Sequence, residues 1–430
     1  MWEQIRSNQT RSVILVVVMG AIWLLLGYVF GLLASYFTPV NLFEGGIYGV
    51  IVASILWILI ILFAYNFGDR ILLAMSDARR ITTGDIHRVY NIVQELQIAS
   101  GLEMVPAIYI IDDPALNAFA VGRDPNNAAV VVTSGLLTKL NRDELQGVVG
   151  HETAHIKNRD VLLMSLCATL LSTMNMVTWL FSPKRYFTKE YGDLGDEAMW
   201  FFLLLLSPIL VVLVIFGTLL IHDLPFVLPF LIFILYIPAF MLLMPFLAKL
   251  IYFAISRRRE YLADACSALY TRYPEGLASA LEKMANSTDQ VLAASAATAP
   301  IYIVNPYREP GMAASDITST HPPISERIRI LRAMAHASYA EYDKAYREIR
   351  GIDKSVIPAY TLAAADTIAI REAVPDDLDH IQRVRETTNA LWNARNYKII
   401  NCSCGTRMRL PPSFKLPEVK CPHCGRTNPV

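Results

Sequence analysis

The sequence has 430 residues and equal numbers of basic and acidic side chains, 38 of each, so its formal net charge is zero. No overall field therefore draws the chain to nucleic acid or to anionic lipid, and its length allows two or three folded units. Hydrophobic residues make up 54% of the chain and are concentrated in long runs, which indicates a membrane protein rather than a soluble one.

Two uncharged segments lie near the N-terminus. Residues 13–36 and residues 46–67 carry no charged side chain, and each segment is long enough to span a bilayer. A signal peptide is the competing interpretation of the first segment, but a second span after a short loop disfavours it. The loop carries only Glu44, whereas basic side chains flank the pair, so the positive-inside rule places both flanks in the cytoplasm. We predict an N-terminal transmembrane hairpin over residues 1–69, and its two apolar segments are flanked by Arg6, Arg11, Arg70, Arg79 and Arg80.

Residues 70–160 have the pattern of a soluble α/β segment. Apolar residues between Val89 and Ile98 recur at helical spacing and stop at Gly101. Short runs rich in β-branched and aromatic residues follow, and they predict three strands at residues 107–111, 117–121 and 128–133.

A helix that carries the motif H-E-x-x-H follows these strands. Asn141 is the expected N-cap, with Glu144 three residues later as in a capping box. In such a helix His151 and His155 lie one turn apart on the same face, where two imidazoles can bind one zinc ion. Glu152 lies beside them as the candidate general base. The alternative is a surface helix with two solvated histidines.

A zinc site normally needs a third protein ligand, and Glu260 is the leading candidate. It begins a predicted helix, from Glu260 to about Ala285, directly after a long apolar region. Asp264, one turn later on the same face, could form a hydrogen bond with a ligand histidine and fix its tautomer. The alternative is interface charge, with Arg257 to Arg259 anchoring a membrane end and Glu260 balancing them.

The apolar region at residues 161–255 contains three stretches, at residues 161–181, 199–221 and 225–255. His151 and Glu260 must meet on one side of the membrane, so an even number of spans must separate them. Either the last two stretches cross and residues 161–181 lie at the interface, or the first and third cross and residues 199–221 re-enter. The sequence leaves this choice open, and we expect four crossings in the whole chain.

The segments after residue 285 contain fewer signals. Residues 286–320 are rich in Ala, Ser, Thr and Pro and predict a loop or flap. Residues 328–346 are predicted to be helical, which completes a second part of the catalytic domain at residues 256–340. Residues 341–397 are interpreted as a linker with one or two short helices, including Leu378 to Ala394.

Four of the six cysteines lie at the C-terminus with metal-type spacing. Each pair is followed by glycine, which allows the tight turns that bring backbone amides near the sulfurs. Short strands at residues 397–400 and 408–410 complete a predicted zinc ribbon at residues 398–430, which is too small to fold without metal. His423 is a weaker alternative ligand. Cys167 and Cys266 are expected to be inert buried thiols. The predicted ligands of this structural zinc are Cys402, Cys404, Cys421 and Cys424.

Three motifs in order resemble the HtpX-like membrane metallopeptidases, which are gluzincins related to the CAAX prenyl endopeptidases. They are H-E-x-x-H-x-x-N-R-D from His151, S-R-R-R-E-Y-L-A-D from Ser256, and the segment Thr320 to Ile328. The resemblance covers roughly residues 70–335, together with the layout of the N-terminal hairpin. It implies that His151, His155 and Glu260 bind a catalytic zinc, that Glu152 is the base, and that Asp264 supports a ligand.

The same resemblance implies a substrate-binding edge strand. Asn117, Ala118 and Phe119 match the family's N-A-F motif, whose backbone pairs with the substrate, and an extended peptide can add to an open sheet edge. His321 and Arg327 fall in the family's H-P-x-x-x-R-type segment. His321 is a candidate for positioning the substrate or stabilising the oxyanion. Alternatively the segment opens a helix and Arg327 forms an internal salt bridge.

Together these observations predict an α+β gluzincin-type catalytic domain embedded in a multi-span α-helical membrane protein, with a small C-terminal zinc ribbon. The expected protein is an endopeptidase with one catalytic and one structural zinc ion. It would lie in the inner membrane with its catalytic domain and ribbon in the cytoplasm, and would cut membrane or misfolded proteins. The resemblance supplies that substrate class.

Two further hypotheses are non-enzymatic. In the first, the chain is a membrane scaffold that recruits a partner through the ribbon, but a structural metal site would not need Glu152. In the second, the ribbon binds nucleic acid, which the neutral overall charge makes less favourable and which would weaken steeply with salt. The sequence does not specify the oligomeric state.

Overall fold

The computed structural model describes residues 2–35, 40–82, 85–166, 257–289, 291–292, 294, 298–306, 322–363, 368–376 and 378–430. These residues fall into two compact units, one formed chiefly by residues 69–165 and 255–430 and the other including residues 10–68. Some of the predicted features lie outside the described residues. These are the start of the H-P-P segment, including His321, and nearly all of the three apolar stretches at 161–181, 199–221 and 225–255.

The N-terminal unit contains two long helices, α1 (Trp2–Ser35) and α2 (Leu42–Met75). Their backbones approach closely at facing glycines: a Cβ on Gly49 would lie only 2.0 Å from the carbonyl oxygen of Gly27. Among the described helices, α2 is long and apolar enough to cross a membrane, whereas the apolar stretch of α1, Val16–Leu32, is shorter. The expected multi-span architecture is therefore supported by one clear span in the described part of the chain.

The second unit is built on a mixed four-stranded sheet with the order β1-β2-β4-β3. Strands β2 and β4 are parallel, and the other two pairings are antiparallel. Strand β4 is central and its valines, Val130 to Val132, are fully buried, as expected for a β-branched run covered on both faces. Strand β3 forms one edge. The strands are β1 (Arg79–Ile81), β2 (Ala107–Ile111), β3 (Ala118–Asp124) and β4 (Asn127–Thr133).

Helices pack around this sheet and agree in part with the predictions. The helix that ends at Gly101 and the capped helix after Asn141 are confirmed. The single helix predicted from Glu260 to about Ala285 is wrong, because Arg272 has a positive φ of 54° and Pro274 starts a new helix. The helices of this unit up to Asn286 are α3 (His87–Ser100), α4 (Ser134–Lys139), α5 (Arg142–Lys157), α6 (Arg257–Thr271) and α7 (Pro274–Asn286).

The C-terminal part also differs from the prediction. The helix predicted over residues 328–346 is two helices, because the chain turns after Arg332 and Ser338 caps a second helix by accepting a hydrogen bond from Glu341. These and the following helices are α8 (Ile324–Arg332), α9 (Tyr339–Arg350), α10 (Ala359–Ala363) and α11 (His380–Ala394). The last 33 residues form two hairpins, of which only the first was predicted. Their strands are β5 (Lys398–Asn401), β6 (Arg407–Leu410), β7 (Glu418–Lys420) and β8 (Thr427–Pro429).

Candidate active site and metal centres

Helix α5 carries the H-E-x-x-H motif and is fixed at its start. Asn141 Oδ1 accepts the backbone N–H of Glu144 at 2.9 Å, and Glu144 Oε2 accepts that of Asn141 at 2.8 Å. The helix then crosses α7 at close range, since a Cβ on Gly147 would lie 2.6 Å from the backbone nitrogen of Leu277. The capping box and the close crossing place the following turns inside the unit, so both histidines are buried.

The side chains of His151, His155 and Glu260 converge. The two Nε2 atoms are 3.2 Å apart, and Glu260 Oε2 and Oε1 lie 3.6 Å from His151 Nε2 and 3.5 Å from His155 Nε2. A tetrahedral zinc ion with bonds of about 2.0–2.1 Å holds its ligand atoms about 3.3 Å apart. Two imidazoles and one carboxylate at these separations fit zinc and leave a fourth position for water or substrate.

Each of the two candidate ligand histidines is in contact with a carboxylate through its Nδ1 atom. His151 Nδ1 lies 2.9 Å from Asp264 Oδ1, and His155 Nδ1 lies 3.0 Å from Asp160 Oδ2. Bonding at Nδ1 fixes the ring so that Nε2 faces the other ligands. Asp264 was predicted for this position. Asp160 was not, although it closes the H-E-x-x-H-x-x-N-R-D motif.

A buried arginine pairs with each of these carboxylates. Arg327 donates to both oxygens of Asp264, at 2.8 and 2.6 Å, and Arg259 lies 2.9 Å from Asp160 Oδ1. Arg327 therefore forms the internal salt bridge considered as one interpretation of its motif. Arg259 is only 2% exposed and contacts Asp160, rather than standing at the surface as a membrane-end anchor.

Burial and charge compete within this cluster. Burial alone lowers the pKa of His151, but hydrogen bonds with Asp264 and Glu260 outweigh it and raise the pKa to about 9. Burial raises the pKa of the Asp264 carboxyl, but the paired Arg327 and the hydrogen bonds give a net lowering, so this group stays ionised.

Glu152 differs from the other acidic residues of the site. Its carboxyl is 1% exposed, and Oε2 has no hydrogen-bond partner among the described residues. Burial raises its pKa, with the neighbouring histidines opposing the shift. Burying a carboxylate oxygen without a hydrogen-bond partner costs folding free energy. Such a carboxylate is therefore typical of a functional group that takes a proton from water or substrate.

The predicted substrate-binding residues contact a segment of the chain itself. The Asn117 side chain donates to Val304 O at 2.8 Å, and Ala118 O accepts the backbone N–H of Ile303 at 3.0 Å. The ring of Phe119 meets that of Tyr302 edge to face, with centroids 4.8 Å apart. No local pattern predicts these contacts, because nearly 190 residues separate the partners.

The four C-terminal cysteines form a second candidate metal centre. Cys402 Sγ is 3.5 Å from Cys424 Sγ, and Cys404 Sγ is 3.7 Å from Cys421 Sγ. A tetrahedral zinc with bonds of about 2.3 Å to sulfur holds these atoms about 3.8 Å apart. Hydrogen bonds with Thr406 lower the pKa of the Cys404 thiol to about 6, which favours the thiolate that binds metal. In the turns, Gly405 and Gly425 have φ of 86° and 72°, which glycine adopts readily.

Comparison with known proteins agrees with this geometry. The model of peptidase family M48 matches residues 83–335, which include both histidines and Glu260 but end before the cysteine cluster. A protein named Protease HtpX homolog from Dictyoglomus turgidum is 38% identical over 333 residues, covering 77% of this chain and 94% of its own. One of that name from Syntrophobacter fumaroxidans is 39% identical over 298 residues, covering 67% and 91%. A third, from Streptococcus uberis, is 33% identical over 334 residues, covering 78% and 100%. The chain belongs to peptidase family M48 and is an HtpX-like metalloprotease.

Proposed function

We propose that the chain is a zinc-dependent endopeptidase that is anchored in the inner membrane and cuts exposed segments of membrane or misfolded proteins on the cytoplasmic side. The observation that carries the zinc assignment is the convergence of His151, His155 and Glu260 beside Glu152, whose buried Oε2 has no hydrogen-bond partner among the described residues. Helix α2 and the basic residues that flank the two N-terminal apolar segments support the membrane location and orientation.

The chemistry divides between the metal and the protein. A zinc ion bound there supplies Lewis acidity, which polarises the scissile carbonyl and acidifies a water molecule. Glu152 takes the proton from that water and delivers it to the leaving amine. Asp264 and Asp160 contact Nδ1 of the two imidazoles and keep the rings oriented with Nε2 toward the candidate metal position. The four cysteines of the second cluster would hold a structural zinc, which would stabilise the ribbon.

Cleavage of an unfolded substrate tests this proposal. Wild type, Glu152→Gln and the exposed control Glu348→Gln would be incubated with β-casein in detergent and zinc. We expect cleavage by wild type and by the control, and a loss of at least about a thousand-fold in Glu152→Gln with the zinc content unchanged. Equal cleavage by all three samples would show that Glu152 is not the base.

A further inference from the structure

Residues Tyr302, Ile303 and Val304 follow the edge strand β3 in one antiparallel register. Tyr302 lies opposite Phe119, Ile303 opposite Ala118, and Val304 opposite Asn117. These contacts involve a ring pair, a backbone hydrogen bond and a side-chain amide, yet all of them fit the same pairing. We call residues 302–304 the strap.

The strap uses the groups that a bound peptide would use. Asn117 presents its amide as a second peptide group, donating to Val304 O at 2.8 Å and accepting from Val304 N at 3.4 Å. Ala118 O accepts Ile303 N–H at the free edge of the sheet. An extended peptide that adds to a sheet edge is bound by the same kind of main-chain hydrogen bonds. The strap and such a peptide therefore exclude each other.

The aromatic contact shows which side chain this edge accommodates. Phe119 and Tyr302 are both fully buried, and their rings meet at an interplanar angle of 70°. Two aromatic side chains that lie directly opposite each other stabilise an antiparallel pairing by more than the burial of their apolar surface alone would. A peptide with an aromatic residue at this position would regain the contact, whereas one with a small residue would leave a void.

The strap is also linked to the metal centre. Arg327 donates to Ile303 O at 3.4 Å and to both oxygens of Asp264, which in turn contacts His151 Nδ1. One side chain therefore contacts both the strap and the carboxylate that orients a ligand histidine.

We propose that the strap occupies the place of the substrate strand in the resting enzyme, and that the substrate displacing it is an extended peptide with an aromatic residue facing Phe119. This inference rests on the proposed peptidase function. The backbone pairing of the strap with β3 is short, because Ile303 N–H to Ala118 O is the one backbone hydrogen bond between them among the described residues, whereas β3 pairs with β4 along most of its length. Local opening of so short a pairing is easier than opening of the sheet.

Two substitutions at one position separate backbone pairing from side-chain packing. Ile303→Pro removes the N–H that reaches Ala118, whereas Ile303→Ala keeps it and shortens the same buried side chain. If the strap occupies the site, the apparent dissociation constant of the substrate is its intrinsic value divided by the fraction of molecules in which the strap is displaced. We therefore expect Ile303→Pro to lower KM for β-casein at least about five-fold relative to Ile303→Ala. An unchanged or higher KM in a variant that melts like Ile303→Ala would overturn the inference.

A peptide competitor tests the aromatic preference. A synthetic peptide of residues 300–305 and its Tyr302→Ala version would be compared as inhibitors of casein cleavage by Ile303→Pro. We expect the tyrosine peptide to inhibit at least about ten-fold more strongly, because only it restores the ring contact with Phe119. Equal inhibition by the two peptides would exclude this edge as an aromatic-binding site.

Amide hydrogen exchange of the wild type tests the strap without any catalysis. We expect the amides of residues 302–304 to exchange at least about ten-fold faster than those of Val130 to Val132, because the strap opens locally. Equal exchange rates in both segments would show that residues 302–304 form a permanent strand, and would contradict the proposal that a substrate displaces them. If no sample cleaves casein, the proposed peptidase function fails, and the exchange rates still decide whether the strap opens.

Discussion

His151 and His155 are each oriented by a carboxylate that is itself paired with a buried arginine. The two sets are His151–Asp264–Arg327 and His155–Asp160–Arg259, and in both the carboxylate lies within 3.0 Å of Nδ1. Arg327 lowers the pKa of the buried Asp264 carboxyl and so keeps it ionised, and the two carboxylates fix the tautomer of the imidazole that each one contacts. The positions of the two imidazoles therefore depend on charged groups that do not themselves belong to the candidate ligand set.

Asp264→Asn tests the first of these pairings. The substitution keeps the shape of the side chain but leaves the Arg327 charge without its buried counter-charge, which typically costs about 3–5 kcal/mol of unfolding free energy. We also expect zinc affinity to fall about 10- to 100-fold. Chemical denaturation and zinc competition measure the two effects. Glu275→Gln is the control, because it breaks an exposed pair with Arg332 and should change little.

Asp160→Asn tests the residue that the sequence analysis missed. Its carboxylate joins His155 to Arg259, so its neutralisation should weaken zinc binding about 10-fold or more by loosening one ligand histidine. A zinc-chelator titration of the purified variant measures this. Unchanged affinity would show that His155 is oriented by helix packing alone.

At the scale of elements, the hydrogen bonds of its first turn stabilise helix α5, which carries the H-E-x-x-H motif. The capping box of Asn141 and Glu144 satisfies backbone N–H groups at the start of α5, and Lys283 of α7 pairs with Glu144 at 2.7 Å. The cap therefore joins the start of the motif helix to the helix that crosses it.

Asn141→Ala should destabilise the catalytic unit by about 1 kcal/mol, because it removes the N-cap acceptor while leaving the ligands unchanged. Asn141→Asp keeps the acceptor and should be close to neutral. Thermal or urea unfolding of the two variants beside wild type provides the comparison, and equal loss of stability in both would contradict a capping role.

Most predictions from local signals were confirmed, whereas several pairings between distant segments were not predicted. The strands, the Gly101 helix end and the Asn141 cap depend on neighbouring residues, so the sequence contained their signals. The predicted helices continued too far at Pro274 and before Ser338 because apolar spacing persisted across both breaks. The pairing of Asp160 with Arg259, and of Asn117 with Val304, joins segments far apart in the chain that no local pattern connects.

At the scale of the catalytic unit, the C-terminal segment is docked rather than a free linker. Arg371 contacts Asp143 at 2.6 Å near the start of α5, and Arg395 contacts Asp112 at 2.8 Å. The Arg409 guanidinium of the ribbon lies over the ring of Trp392 in α11. The ribbon is therefore connected to the peptidase through packed helices, although the family match ends at residue 335.

Zinc content and casein cleavage, measured on the same samples of wild type, Glu260→Gln and Cys421→Ser, test the account most directly. We predict two zinc ions in wild type and one in each variant, with cleavage lost in Glu260→Gln and retained in Cys421→Ser. A wild type that binds no zinc, or a Glu260→Gln variant that keeps both its zinc and its activity, would contradict the assignment of the active site.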